Sequence, residues 1–124
     1  MLRITSLSLL AAFTLTGCNL PPQTGEELFA ANCAVCHGSD AKGGGMELAE
    51  DLTTLTTRHG GTFPTAFVMS TIDGYAKADT HGPMPEFGVL LKGDMEVWTD
   101  PNGVPTPTPS GLLKLANYLE SIQG

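Results

Sequence analysis

The sequence predicts a small all-α domain with one hairpin-like excursion before its last helix, and three stretches carry that prediction. A capping pattern opens at Thr24, with Glu27 three residues later. A proline-started segment runs from Pro64 to about Gly74. Near the end, Leu112, Leu115, Leu119 and Ile122 recur at helical spacing and form one apolar stripe, from about Ser110 to Gln123. Long loops separate these segments, and no internal repeat is present.

Taken in chain order, residues 1–17 come first. They carry one early positive charge at Arg3, an apolar run around Leu7 to Leu15, and small residues before Cys18. This is the layout of a secretory signal, too short to serve as a membrane-spanning helix. Leu15-Thr16-Gly17-Cys18 resembles a bacterial lipobox, in which the peptide is cut before the cysteine and the cysteine is lipidated. An ordinary signal with a chance cysteine would instead leave an exposed thiol in an oxidising envelope, which is a liability. The expected organisation is a lipoprotein signal peptide at 1–17, a lipidated tether at 18–23 and one folded domain at 24–124. The implied location is the bacterial cell envelope, periplasmic-facing, with the chain anchored to the membrane through Cys18. The tether "NLPPQ" reaches only ~20 Å when extended, and Pro21 and Pro22 stiffen it.

The full chain has a formal charge of −7. Loss of Arg3 with the signal leaves five basic and thirteen acidic side chains, hence −8. There is no basic run or stripe, so nucleic acid is not an expected partner. Anionic lipid would repel such a chain, and attachment then rests on the acyl chains.

In the first helix, Glu26 and Glu27 suit the positive helix end, and Leu28, Phe29 and Asn32 mark one face that runs into the Cys33–Cys36 turn. From Gly38 to Gly61 the chain is rich in Gly and Thr, and "KGGG" at Lys42 to Gly45 permits backbone conformations closed to other residues. A phosphate loop is excluded there, because no strand–helix frame or Gly-Lys-Ser/Thr follows. A short helical turn is expected near Glu47 to Leu52. On the second helix Val68 shares a face with Ile72, and Phe67 with Thr71. Asp100-Pro101-Asn102-Gly103 is a strong turn signal between Val97-Trp98-Thr99 and Val104. The prolines that follow should be extended, and Trp98 should cover part of the core.

The chemistry sits in "NCAVCHG". A Cys33–Cys36 disulfide would leave His37 without a task. A thiol-oxidoreductase motif follows a strand, whereas this one follows a helix. Zinc needs four ligands, and only His59 and His81 remain as further nitrogen donors. A haem uses all three residues: two thiols bond the porphyrin vinyl groups and the neighbouring imidazole reaches the iron, the C-x-x-C-H signature. Met84 in "HGPMPEFG" is the favoured opposite ligand, a soft thioether in a loop stiffened by two prolines. Met69 reads as core filler. Met46, Met95, His81 and His59 are weaker ligand candidates.

"GEELFAANCAVCHG", "MPEFG" and "LLKLANYLESI" together resemble the class I, monohaem cytochrome c family over nearly all of the chain from Thr24. The resemblance implies a small cytochrome c fold, with three or more short helices around one covalently attached haem c. It makes His37 the proximal and Met84 the distal iron ligand. It also implies a crossing of first and last helices at Gly25 and Phe29 against Leu115 and Tyr118. The long loop between Met84 and the last helix departs from the family, as does the lack of a lysine ring. The expected function is single-electron transfer between envelope redox partners. The opposing reading is a ligand-binding, sensory or peroxidase-like haem protein with a labile Met84. Arg58 and Tyr75 are candidates for the haem crevice or propionates. An acidic carrier should meet a basic docking face on its redox protein partner.

About a hundred residues with fourteen glycines and few aromatics make a thin core without a prosthetic group. A Cys33→Ser/Cys36→Ser chain should therefore be largely unfolded. Far-UV circular dichroism checks this, and native helix content in that variant would refute it.

Overall fold

The computed structural model describes residues 23–75 and 84–124. The signal, the lipobox with Cys18 and most of the tether lie outside the described residues, as do Lys77 and His81. Among the described residues five helices and one hairpin follow in order: α1 Gly25–Asn32, α2 Ala34–His37, a 3-10 turn Leu52–Thr54 leading into α3 Leu55–Arg58, α4 Thr65–Asp73, β1 Met95–Thr99, β2 Pro105–Pro109 and α5 Ser110–Ser121.

The capping box at Thr24 forms in both directions. The Glu27 N–H donates to the Thr24 hydroxyl at 3.2 Å, and the Thr24 N–H donates to the Glu27 carboxylate at 2.8 Å. The chain leaves α1 through Cys33 and rewinds at once as α2, which Gly38 ends at φ 77°. Helix expected at Glu47–Leu52 starts later, at Leu52. The reason is local: the Asp51 carboxylate accepts the Thr53 N–H at 2.8 Å and the Thr53 hydroxyl at 2.6 Å, which makes Asp51 the cap. Pro64 caps α4 rather than opening it, and left-handed Gly74 (φ 96°) closes it.

The all-α expectation needs one correction, because the excursion before the last helix is a true two-stranded antiparallel sheet. Met95 pairs with Pro109, Val97 with Pro107 and Thr99 with Pro105. Its loop is wound on Asp100, whose carboxylate accepts the N–H groups of Asn102 and Val104, each at 2.8 Å. These bonds, that of Val104 foremost, hold the Asp100 carboxyl below its ordinary range. Alternation of prolines with Thr106 and Thr108 reads as loop on composition, yet it suits an edge strand, where alternate residues need no N–H.

α1 crosses α5 at close range. A Cβ on Gly25 would overlap the Lys114 carbonyl oxygen and lie 2.7 Å from the Tyr118 Cβ, so only glycine fits. Phe29 and Tyr118 meet with ring centroids 5.4 Å apart. Phe29 and Leu115 are almost fully buried at this crossing, so the contact implied by family resemblance is present. α4 packs on α5 as well. Val68, Met69, Ile72, Leu112, Ala116 and Leu119 continue the core, and Trp98 lies half-buried against it. Among the described residues no helix is long and apolar enough to cross a membrane.

Replacement of Gly25 by Ala forces the two backbones apart. It should cost about 2 kcal/mol, in the range of overpacked cores. The thermal midpoint should fall by on the order of 10 °C, read by circular dichroism on the wild type and variant.

Candidate functional site

The C-terminal end of α1 and all of α2 place Cys33, Cys36 and His37 on one wall of a cavity of about 240 Å³. Its lining is mostly apolar. α4 contributes Phe67, Val68, Thr71 and Ile72, α5 contributes Leu119, and Met84 enters from the loop after α4. That loop is laced to α4: the Phe87 N–H donates to the Ile72 carbonyl at 2.9 Å and the Gly88 N–H to the Asp73 carbonyl at 3.2 Å. All four residues expected to hold a prosthetic group thus border one space.

His37 is oriented from behind. Its Nδ1 lies 3.1 Å from the Glu50 carbonyl oxygen. A proton on Nδ1 donated there leaves Nε2 with the free lone pair, the arrangement that suits a metal ligand. The segment that offers this carbonyl is itself tied down. The Arg58 guanidinium bonds the Glu50 carboxylate at 2.6 Å and the Asp51 carbonyl at 2.9 Å. From the far end of the chain, the Gln123 side-chain oxygen accepts the Thr56 N–H at 2.9 Å. Its amide nitrogen donates to the carbonyls of Leu52 (2.8 Å) and Leu119 (2.7 Å). The glycine-rich loop lies against α2, and a Cβ on Gly45 would come within 2.7 Å of the Val35 and Cys36 carbonyls.

The other candidates separate clearly. Met46 also borders the cavity, Met69 is buried in the core, and Met95 is exposed on β1. His59 does not line the cavity; its ring packs on Phe67 at 5.2 Å. His81 lies outside the described residues. Arg58 and Tyr75, expected at the crevice, are not in its lining. Arg58 is committed to Glu50 and Asp51, and Tyr75 is 91% exposed. Gln123 and the Glu50 carbonyl were missed by sequence reasoning. One is a polar residue past a helix end and the other a backbone atom, and neither leaves a pattern.

Two features fit the site to a covalently held, apolar macrocycle. Burial, helped by the neighbouring Cys36, pushes the Cys33 thiol up to about 11. Reactive exchange thiols have lowered values and electropositive, partly exposed surroundings, so Cys33 is unsuited to that chemistry. Among the described residues, Thr71 Oγ1 is the one buried side-chain polar atom without a hydrogen-bond partner, and Thr71 borders the cavity. No cluster of three or more His, Cys, Asp or Glu side chains able to hold a bare metal ion occurs among the described residues.

The fold is a small, mostly helical domain with an apolar cavity bordered by Cys33, Cys36, His37 and Met84. The chain belongs to the cytochrome c family: the family model described as Cytochrome c matches residues 22–123. Proteins of this family carry covalently attached haem c with its iron. Neither the search of curated proteins nor that of solved structures gave a match.

Asp51, next to Glu50, caps the turn Leu52–Thr54, and its carboxyl is held below the ordinary 3.8, first by the Thr53 hydroxyl and then by the Thr53 N–H. A lowered folded value means that this contribution is complete above about 3.8 and is lost as pH falls through the folded value. Wild type should therefore melt above Asp51→Asn at neutral pH, with the gap closing as pH drops below about 3.8. Melting curves from pH 7 to pH 2 test this.

Proposed function

We propose that this chain is a membrane-tethered, monohaem electron carrier of the bacterial envelope. Cys33 and Cys36 would hold haem c through thioether bonds, and His37 and Met84 would ligate its iron. The observation that carries the reading is the convergence of these four side chains on one apolar cavity. When bound, haem c supplies a one-electron ferric/ferrous couple.

The residues of the chain do the rest. With Nδ1 engaged by the Glu50 carbonyl, the His37 ring is fixed in rotation and in tautomer. Met84, which borders the same cavity, would supply the second ligand to the iron. His/Met ligation is the type that raises the potential of haem iron. Phe29, Val68, Ile72 and Leu119 keep water from the cavity, and a low local dielectric disfavours the more highly charged ferric state. The Thr71 hydroxyl, buried at that wall without a partner among the described residues, would be available to a polar atom of the bound group.

Lipid on Cys18 would keep the domain within ~20 Å of the bilayer. The acidic chain suits a partner with a basic docking face, so association should slow as salt rises. The family's usual place outside the bacterial cytoplasm supports this location.

A pyridine haemochrome assay and the intact mass of the native mature chain should show one covalent haem. The ferric spectrum should carry the thioether–iron charge-transfer band at its red edge, and the ferrous form should bind carbon monoxide slowly. Met84→Ala should lose the band and bind carbon monoxide rapidly. A wild type without the band, or open to carbon monoxide, would replace the carrier reading with a ligand-binding one.

A further inference from the structure

The hairpin has two unlike edges, and its hydrogen-bond phase can be read from its ends. The Ser110 N–H donates to the Asp94 carbonyl at 2.7 Å, and the Asp100 N–H donates to the Val104 carbonyl at 3.0 Å. Both pairs fall in the strand register, so the bonded pairs between them are Glu96 with Thr108 and Trp98 with Thr106. Met95, Val97 and Thr99 are then the non-bonded positions, and their N–H and C=O groups point away from β2. The prolines opposite them agree, since Pro105, Pro107 and Pro109 have no N–H to offer.

The outer edge of β2 is thus free of donors, while on that of β1 the N–H and C=O groups of Met95, Val97 and Thr99 have no backbone partner among the described residues. The residues that carry them are exposed, Met95 to 58% and Val97 to 68%. The usual protections of an edge, an outward lysine, a proline or a bulge, are missing from β1 itself. The side chains beside this edge are apolar at Met95 and Val97. Residues 93–109 contain three acids, Asp94, Glu96 and Asp100, and no lysine or arginine.

We propose that the free edge of β1 takes an extended, cationic segment of a partner protein by strand addition. In the register that satisfies Met95, Val97 and Thr99, every second partner residue lies on the Met95–Val97 face and suits an apolar side chain. The alternate residues sit beside Glu96 and suit lysine or arginine. A second copy of this chain would bring the same acids together and join two chains of net charge −7, so charge selects against it. The binding mode is independent of iron, and it goes beyond the electron-carrier reading.

The test uses the 15N-labelled mature chain and an acetylated, amidated peptide of alternating lysine and valine, seven residues long. Amide hydrogen exchange, resolved by NMR, should slow at least about tenfold at Met95, Val97 and Thr99 when the peptide saturates. The same peptide methylated on its valine nitrogens keeps its charge but cannot donate, and it should leave those amides unchanged. Unaltered exchange with the first peptide would overturn the proposal. Equal slowing by both peptides would overturn it too, by reducing the effect to charge. Concentration-dependent slowing without peptide would assign the edge to a second copy instead. Because the readout lies in backbone amides, its failure is separable from failure to find haem.

Discussion

The approach of α1 to α5 at Gly25 is the constraint on which the other features depend. With no side chain at Gly25, the start of α1 rests on the Lys114 carbonyl and the Tyr118 Cβ. That fixes the path of a helix only eight residues long, too short to hold itself together alone. Phe29 and Leu115 then seal the crossing, and Cys33 emerges at the rim of the cavity one turn after Phe29. The same α5 supplies Leu119 to the cavity wall and, just beyond its end, Gln123 to the turn at Leu52–Thr56. One contact between the two ends of the domain therefore aligns the attachment segment with the wall that faces it.

His37 depends on that alignment at one remove. Its Nδ1 partner is a backbone carbonyl, which cannot swing away as a side chain can, but whose position is only as firm as the segment bearing it. Three anchors hold that segment: the Asp51 cap, the Arg58 fork across Glu50 and Asp51, and the Gln123 amide. Arg58 therefore acts as a brace behind His37, and this explains why it does not line the cavity. A ring held by such a chain of contacts loses little freedom when it coordinates a metal, and so needs little rearrangement when the charge on that metal changes.

The parts of this organisation that were legible in the sequence are those with local causes. The capping box at Thr24, the proline and glycine around α4, the apolar stripe of α5 and the Asp100 turn each act within a few residues, and each appears where expected except that Pro64 stands one residue before α4. Cys33, Cys36, His37 and Met84 were singled out by residue type and spacing, and the fold brings all four to one cavity. The misplacement near Glu47 had a local cause also, since an aspartate cap at Asp51 outweighs the helix propensity of the residues before it. What stayed hidden is non-local or belongs to the backbone. Gln123 meets partners 67 and 71 residues away, and the Glu50 carbonyl has no residue identity to read. Strand pairing by a run with three prolines was hidden because propensity counts prolines against a strand regardless of which edge they face.

The spacing of those prolines also explains how an exposed two-stranded sheet stays single. A two-stranded ribbon is marginal alone, and here Trp98 and Thr108 fasten its inner face to the body. Were both outer edges open, pairing with like copies could continue in two directions and grow without limit. Prolines at every second residue of β2 cost no ladder bond, because those positions point outward, and they make that edge unable to donate. Any strand that joins β1 therefore meets a sheet closed on its far side, and growth through the hairpin cannot pass from one molecule to the next. Asp94, Glu96 and Asp100 add a charge filter against copies of the same chain. An edge left open in one direction, shut in the other and marked with one sign of charge is arranged for a single unlike strand rather than for aggregation.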